Sequence, residues 1–321
     1  MEKTIVVALG GNAILEKDPT YEAQKAAVER TAKLLVRLVE KGYKVIITHG
    51  NGPQVGNLLL QQIAGDSDKT PALPLDSLGA MTQGSIGYWL SNSLAKYLHR
   101  AGIHKDVVPV VTQTVVDRND RAFSRPTKPI GPFYTEEEVD ILNLQNPMFV
   151  YREDSGRGWR RVVPSPRPVR ILEIEGIKSL IDAGQIVIAA GGGGVPVVEQ
   201  DDELVGVEAV IDKDFTAAKL AEQVHADEFL ILTSVGNVYL DFGKPTQREI
   251  THIDANALNK LIAKKQFAEG SMLPKVTAAK EFVENVPDGK AIITYLDGLE
   301  DFIEHGAGTV ITRWPESVPA K

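Results

Sequence analysis

Thr4-Ile5-Val6-Val7-Ala8-Leu9-Gly10-Gly11-Asn12 decides how the rest of the chain is read. An apolar, β-branched run of this length predicts a buried strand. The glycines that close it predict a tight turn whose bare backbone can approach a ligand. The same grammar returns at Lys44–Thr48, followed by His49-Gly50-Asn51-Gly52-Pro53, and at Ile186–Ala190, followed by Gly191-Gly192-Gly193-Gly194. Val107–Val111, Glu228–Thr233, Ala291–Tyr295 and Thr309–Thr312 read as further buried strands. Between the first two strands lies Tyr21–Lys41, where Ala27, Thr31, Leu34, Leu35, Leu38 and Val39 recur at helical spacing and Gly42 offers a C-cap. Asp214–Gln223 and Lys275–Asn285 read as two more helices. Strand–helix alternation predicts an α/β fold with a mostly parallel sheet covered on both faces. It also predicts that ligands sit at the carboxyl ends of the strands.

One segment departs from this rhythm. Asp117 to Pro168 carries seven prolines between Pro126 and Pro168, with charged stretches between them. It reads as an inserted lobe or lid, because structureless loops of this length are rare inside compact domains. Arg152, Arg157, Arg160, Arg161, Arg167 and Arg170 crowd there beside Trp159. Two readings fit them: a solvated basic strand pair balanced by Glu153 and Asp154, or an anion-facing lid.

Composition narrows the function. The 321 residues are 43% apolar and 24% charged, as in ordinary soluble globular proteins. Forty-three acids against 35 bases leave a net charge of −8, which argues against general binding to nucleic acid or anionic membranes. The absence of cysteine excludes disulfides, thiolate nucleophiles and Cys-ligated zinc. The run Ile5–Leu9 is too short for a signal-peptide core, and Ile186–Val198, interrupted by four glycines, falls short of a spanning helix. A cytoplasmic chain is the expectation.

Glycine-rich turns after three strands point to an oxyanion site, since clustered backbone N–H groups form a nest. Pro53 suits the first turn of a helix and leaves that N-terminus free to face an anion. The standard phosphate motifs are absent. No G-x-x-x-x-G-K-[ST] occurs, and the dinucleotide fingerprint fails because Val55 stands where its third glycine belongs. Asp241-Phe242-Gly243 spells a protein-kinase triplet without the accompanying motifs and reads as coincidence. Lysines beside such turns say more. Lys213 in Ile211-Asp212-Lys213-Asp214 is either exposed beside an Asp212 N-cap or aimed at phosphate. Lys275 in Gly270-Ser271-Met272-Leu273-Pro274-Lys275 stands at the mouth of a helix, and Pro126-Thr127-Lys128-Pro129 holds Lys128 rigidly in the lobe. Three such lysines suit a transferring phosphoryl group, whose loose transition state needs positioning and charge neutralisation. The six histidines show no zinc spacing, and His99 and His104 suit a surface helix end. No Ser nucleophile elbow or paired-carboxylate signature stands out.

Taken together, Val7–Ala13, Thr48–Gly56, Pro126–Pro129, Gly156–Arg160, Gly206–Asp214 and Gly270–Lys275 resemble the signatures of the carbamate kinases, within the amino acid kinase superfamily. The resemblance runs in order from about residue 4 to about residue 312. It implies a three-layer α/β/α sandwich, an eight-stranded and mostly parallel sheet, and a protruding subdomain. It implies one domain over residues 1–321, with the phosphoryl-acceptor site in 1–185, the lid at about 117–168, and the nucleotide site in 186–321. A homodimer is implied too.

The implied reaction is ATP plus carbamate giving ADP plus carbamoyl phosphate, with Mg²⁺, usually run backwards to make ATP at the end of arginine catabolism. Gly10, Gly11, Asn12, Gly50, Asn51 and Gly52 would cradle carbamate and the phosphoryl group. Lys213 and Lys275 would neutralise phosphate from the nucleotide side, with Asp214 holding both, and Lys128 would reach in from the lid. Thr233, Ser234, Tyr239 and Met272 would border the nucleotide. No side chain is singled out as a metal ligand, because the phosphates themselves would hold most of the Mg²⁺, and direct ligands stay open. Two other functions stay open: a relative phosphorylating another small carboxylate, and a nucleotide-binding protein on the same fold that has lost catalysis.

Overall fold

The computed structural model describes residues 2–15, 18, 20–154 and 156–315. An eight-stranded sheet runs through its centre, from β1 (Thr4–Leu9), β2 (Lys44–His49), β3 (Val107–Pro109), β4 (Ile186–Ile188), β5 (Glu228–Thr233), β6 (His252–Asp254), β7 (Lys290–Tyr295) and β8 (Thr309–Thr312). Across the sheet the order is β6-β8-β7-β5-β1-β2-β4-β3, and every neighbouring pair is parallel except β7 with β8. β1 lies in the middle, paired Val6 to Ile46 on one side and Val6 to Phe229 on the other. The seven predicted strands are all present. Two close early: Val110 and Val111 fall outside β3, with Val111 52% exposed, and Ala189 and Ala190 fall outside β4, Ala190 with a left-handed backbone at φ 55°. β6 was not predicted, since its three residues carry one aliphatic side chain and no apolar run.

Alternation along the strands feeds two separate cores. Ile5, Val7, Leu9, Val45 and Ile47 pack on one face against α1 (Tyr21–Glu40) and its neighbours. Val6, Ala8, Ile46, Phe229 and Ile231 pack on the other. Each fully buried side chain of this kind is worth about 1.5–3 kcal/mol, so the central strands are held from both sides. α2 (Gly52–Gly65) follows β2 directly, with Pro53 in its first turn. α3 (Leu75–Arg100) adds Ile86, Leu90, Leu94 and Leu98 to the α1 face, and a Cβ on Gly87 would lie 2.8 Å from that of Pro109. No helix among the described residues is long and apolar enough to cross a membrane.

The proline-rich segment is an ordered lobe. Lys128–Tyr134, Trp159–Val163 and Val150–Glu153 form an antiparallel sheet in that order, and α4 (Glu136–Gln145) starts at a Thr135/Glu138 capping box. A second sheet at its base pairs Gln113–Val116 with Pro168–Ile171 and with Val195–Gln200, which in turn pairs Glu203–Gly206. The strand-pair reading of the arginines holds in part, since Arg152 faces Arg160 across the paired strands Val150–Glu153 and Trp159–Val163 and Asp154 balances two of the charges. Arg157 and Arg160 bind Asp154, Arg160 also donates to the Gly131 carbonyl, and Arg161, Arg167 and Arg170 reach Glu208, Glu281 and Glu199. Three of the six, Arg161, Arg167 and Arg170, thus pair with acids outside the segment 117–168.

α5 (Ile174–Asp182) leads into β4, and α6 (Lys213–Gln223) precedes β5. α7 (Ala255–Ala263) and α8 (Met272–Asn285) lie between β6 and β7, and α9 (Leu299–His305) precedes β8. α6 and α8 begin earlier than their apolar periodicity alone suggests, at Lys213 and Met272, which brings Lys213 and Lys275 into first turns.

Candidate phosphoryl-transfer site

Because β1, β2, β4 and β5 are parallel, their carboxyl ends open at one edge of the sheet. The glycine turns meet there. A Cβ on Gly10 would stand 2.7 Å from the Leu232 carbonyl oxygen of β5, so only glycine lets the β1 turn sit so close. Substituents on Gly191 and Gly192 would run into the His49 ring and the Asn51 amide. Gly192, at φ +65°, also needs the left-handed conformation. The Gly193 carbonyl accepts hydrogen bonds from the hydroxyls of Thr114 and Thr216, both at 3.0 Å, the second belonging to α6. Three turns far apart in sequence thus form one floor beneath the head of α6.

The lysines gather above it. Asp212 caps α6 by accepting the Asp214 N–H at 3.0 Å. Lys213 Nζ donates to Asp214 Oδ1 at 2.7 Å, and Lys275 Nζ, from α8, donates to Asp214 Oδ2 at 3.0 Å. The Lys213 stem crosses the β2 turn, since a Cβ on Gly50 would lie 3.3 Å from Lys213 Cδ. Lys128 Nζ reaches from the lobe to Asp212 Oδ2 at 2.8 Å. The four residues read from sequence as Lys128, Lys213, Asp214 and Lys275 therefore belong to one cluster. Asp214 is 3% exposed. Burial pushes its carboxyl upward, but Lys213, then Lys275, outweigh this by charge and hydrogen bonding and hold it at about 2.

Buried polar side chains fix the floor. Asn51 Nδ2 donates to Thr82 Oγ1 at 2.8 Å, and Thr82 donates onward to the Gly79 carbonyl at 2.7 Å. Thr31 donates to the Ala13 carbonyl at 2.6 Å and anchors the turn of Gly11 and Asn12. The Asn12 side chain lies outside the described residues. Gly11 and Gly52 open onto free space. His49 is buried, and that burial lowers its pKa to about 4. It is neutral, with Nδ1 2.9 Å from the Gly50 carbonyl.

A cavity of about 170 Å³ adjoins Lys275. Thr233, Ser234, Tyr239 and Met272, read from sequence as nucleotide neighbours, line it together with Lys275. Phe242, Gln266 and Phe267 line it too and were not predicted. Phe242 belongs to the triplet dismissed as coincidence; it is 65% exposed and tilts against Tyr239 with ring centres 6.0 Å apart. An aromatic left in a polar turn was the signal available. Among the described residues no group of three or more His, Cys, Asp or Glu side chains is arranged to hold a metal ion. The arrangement is a cationic pair between an amide-lined floor and a largely aromatic and aliphatic cavity.

The chain is similar to known proteins over nearly its whole length. Residues 3–294 match the amino acid kinase family. The carbamate kinase of Latilactobacillus sakei is 55% identical over 97% of this chain and 99% of its own length. Carbamate kinase 2 of Enterococcus faecalis is 53% identical over 96% and 98%. Among solved structures, the carbamate kinase of Giardia lamblia bound to AMP-PNP superposes with a TM-score of 0.90 at 43% identity, covering 97% of this chain and 98% of that one.

Proposed function

The chain belongs to the amino acid kinase family, and within it to the carbamate kinases, and on that premise we propose that it transfers a phosphoryl group reversibly between ATP and carbamate. ATP and carbamate give ADP and carbamoyl phosphate: the bond from the γ-phosphorus to the β–γ bridging oxygen breaks, and a carbamate oxygen forms the new bond to phosphorus. The observation that carries this reading is Asp214 binding Lys213 and Lys275 at once, between the glycine floor and the cavity.

Each part then has a task. The backbone amides of Gly10, Gly11, Asn12, Gly50, Asn51 and Gly52 cradle carbamate and the phosphoryl group in flight. Lys213 and Lys275 neutralise the phosphates, while Asp214 keeps the two ammoniums together. Lys128 approaches from the lobe. The adenine side of the nucleotide lies against Thr233, Ser234, Tyr239 and Met272. Carbamate is already an anion at neutral pH, so the reaction needs no general base, and a neutral, buried His49 is compatible with that. Mg²⁺ would neutralise charge on the nucleotide phosphates and take most of its ligands from them and from water. Asp212 and Asp214, the carboxylates nearest the lysines, are both engaged by ammoniums.

The physiological direction we assign is ATP formation at the end of arginine catabolism, by a homodimer in the cytoplasm. ADP and carbamoyl phosphate supplied with Mg²⁺ should yield ATP at a rate set by enzyme concentration. Failure to make ATP, together with ATP-dependent phosphorylation of an acylamino acid, would transfer the activity to another carboxylate.

A further inference from the structure

We propose that Asp212 is the positioning residue that fixes the Lys128 amine at the head of α6, beside Lys213 and Lys275. The inference rests on the phosphoryl-transfer reading and adds to it a residue that touches no substrate. The two oxygens of Asp212 have separate duties. Oδ1 accepts the Asp214 N–H at 3.0 Å, and Oδ2 accepts Lys128 Nζ at 2.8 Å across 84 residues of sequence. Its first contact locks the carboxylate onto α6, so the second places the lobe's ammonium relative to α6 and not merely relative to the lobe.

The strand-to-helix strap that carries Asp212 is itself clamped to the lobe. The Val210 N–H donates to the Pro164 carbonyl at 3.0 Å, and Arg161 Nη2 donates to Glu208 Oε2 at 2.8 Å. Glu208 Oε1 accepts the Leu75 N–H at the start of α3. The Asp212–Lys128 bond is therefore the inner end of a series of contacts joining lobe and strap.

A carboxylate here has an electrostatic cost. Three ammoniums, Lys128, Lys213 and Lys275, face two carboxylates, Asp212 and Asp214, leaving one net positive charge to attract a polyanion. Removing the Asp212 charge would raise that attraction, so anion affinity does not account for an acid at this position. Capping does not either, because Asn and Ser cap helices as well as Asp. Orientation of Lys128 accounts for it. Lys128 and Asp212 keep side-chain exposures of 33% and 21%, open enough for an arriving phosphate to share the amine.

The test is a double-mutant cycle on the full chain, following ATP formation from ADP and carbamoyl phosphate. Asp212→Asn preserves the cap and deletes the charge; Asp212→Ser, a second capping residue, guards against a variant that folds poorly. Either change should lower kcat by about tenfold at an unchanged thermal midpoint. KM for carbamoyl phosphate should stay level or fall, because net positive charge rises. In a Lys128→Ala background the same change should alter kcat by less than about twofold, since coupled residues are non-additive. Equal losses in both backgrounds, an unchanged kcat, or a raised KM at unchanged kcat would overturn the assignment. A wild-type chain that makes no ATP would instead defeat the phosphoryl-transfer reading and this inference with it.

Discussion

Asp214 is the residue on which the electrostatics turn. Its two oxygens each take one ammonium, and its carboxyl is held at about 2 against the upward push of burial. Asp214→Asn leaves the volume intact but sets two partly buried ammoniums side by side without a counter-charge. Breaking a buried pair in this way costs about 3–5 kcal/mol. Urea unfolding of Asp214→Asn should therefore show stability reduced by about 3 kcal/mol; a loss under about 0.5 kcal/mol would mean that the lysines are not held by this group. The cluster was legible in sequence because each member announces itself locally: an acid–Lys–acid run opening a helix, and a lysine just after Pro274. Phe242 offered only an aromatic in a polar turn, and Gln266 offered no signal at all. Their approach to Met272 depends on how the hairpin Val238–Leu240 with Arg248–Ile250 and the short amphipathic α7 pack together, which is a tertiary fact.

At the scale of elements, the glycine turns carry the site, and they are not equivalent. Gly10→Ala drives a methyl to 2.7 Å from a β5 backbone oxygen, which cannot yield as a flexible side chain can. Gly11→Ala meets nothing within 4 Å. Overpacking typically costs about 1–3 kcal/mol, so Gly10→Ala should lower stability by about 2 kcal/mol while Gly11→Ala stays within about 0.5 kcal/mol of wild type. Similar melting curves for the two variants would show that the β1 and β5 ends do not approach as described. The turns were readable because they follow strong strands. α3 was not, since Gly79, Gly84 and Gly87 and several polar residues interrupt its apolar stripe. Its burial depends on the α1 face and on Pro109, which are tertiary facts.

For the whole molecule, sequence reading went furthest where both faces of a strand are buried, because such strands are continuous apolar runs. It failed at β6, which is short and half exposed at the sheet edge. The lobe was visible as an insertion with a basic strand pair, but the third strand of its sheet, Lys128–Tyr134, was hidden by its two prolines and glycine. Global stability should fall on acidification through two groups. Burial lowers His49 from an ordinary 6.5 to about 4, so its neutral form favours the folded state fully above pH 6.5 and loses that contribution as pH drops toward 4. The size is about 3 kcal/mol. Asp214, held at about 2 from 3.8, contributes above pH 3.8 and loses its share below it. Denaturant titrations from pH 7 to pH 4 should show a steady decline that His49→Gln reduces; an identical decline in that variant would remove His49 from the account.

In the proposed reaction, the fold, the turns and the lobe all serve to bring a cation to a phosphoryl group. A unit charge at about 4 Å and an effective dielectric near 20 is worth about 4 kcal/mol, of which only the share gained in the transition state accelerates the reaction. The turnover number for ATP formation from ADP and carbamoyl phosphate, measured for Lys213→Ala protein that melts like wild type, tests this most directly. We predict a fall of about 10²–10³-fold, each factor of ten corresponding to about 1.4 kcal/mol. Turnover within about threefold of wild type would contradict the account.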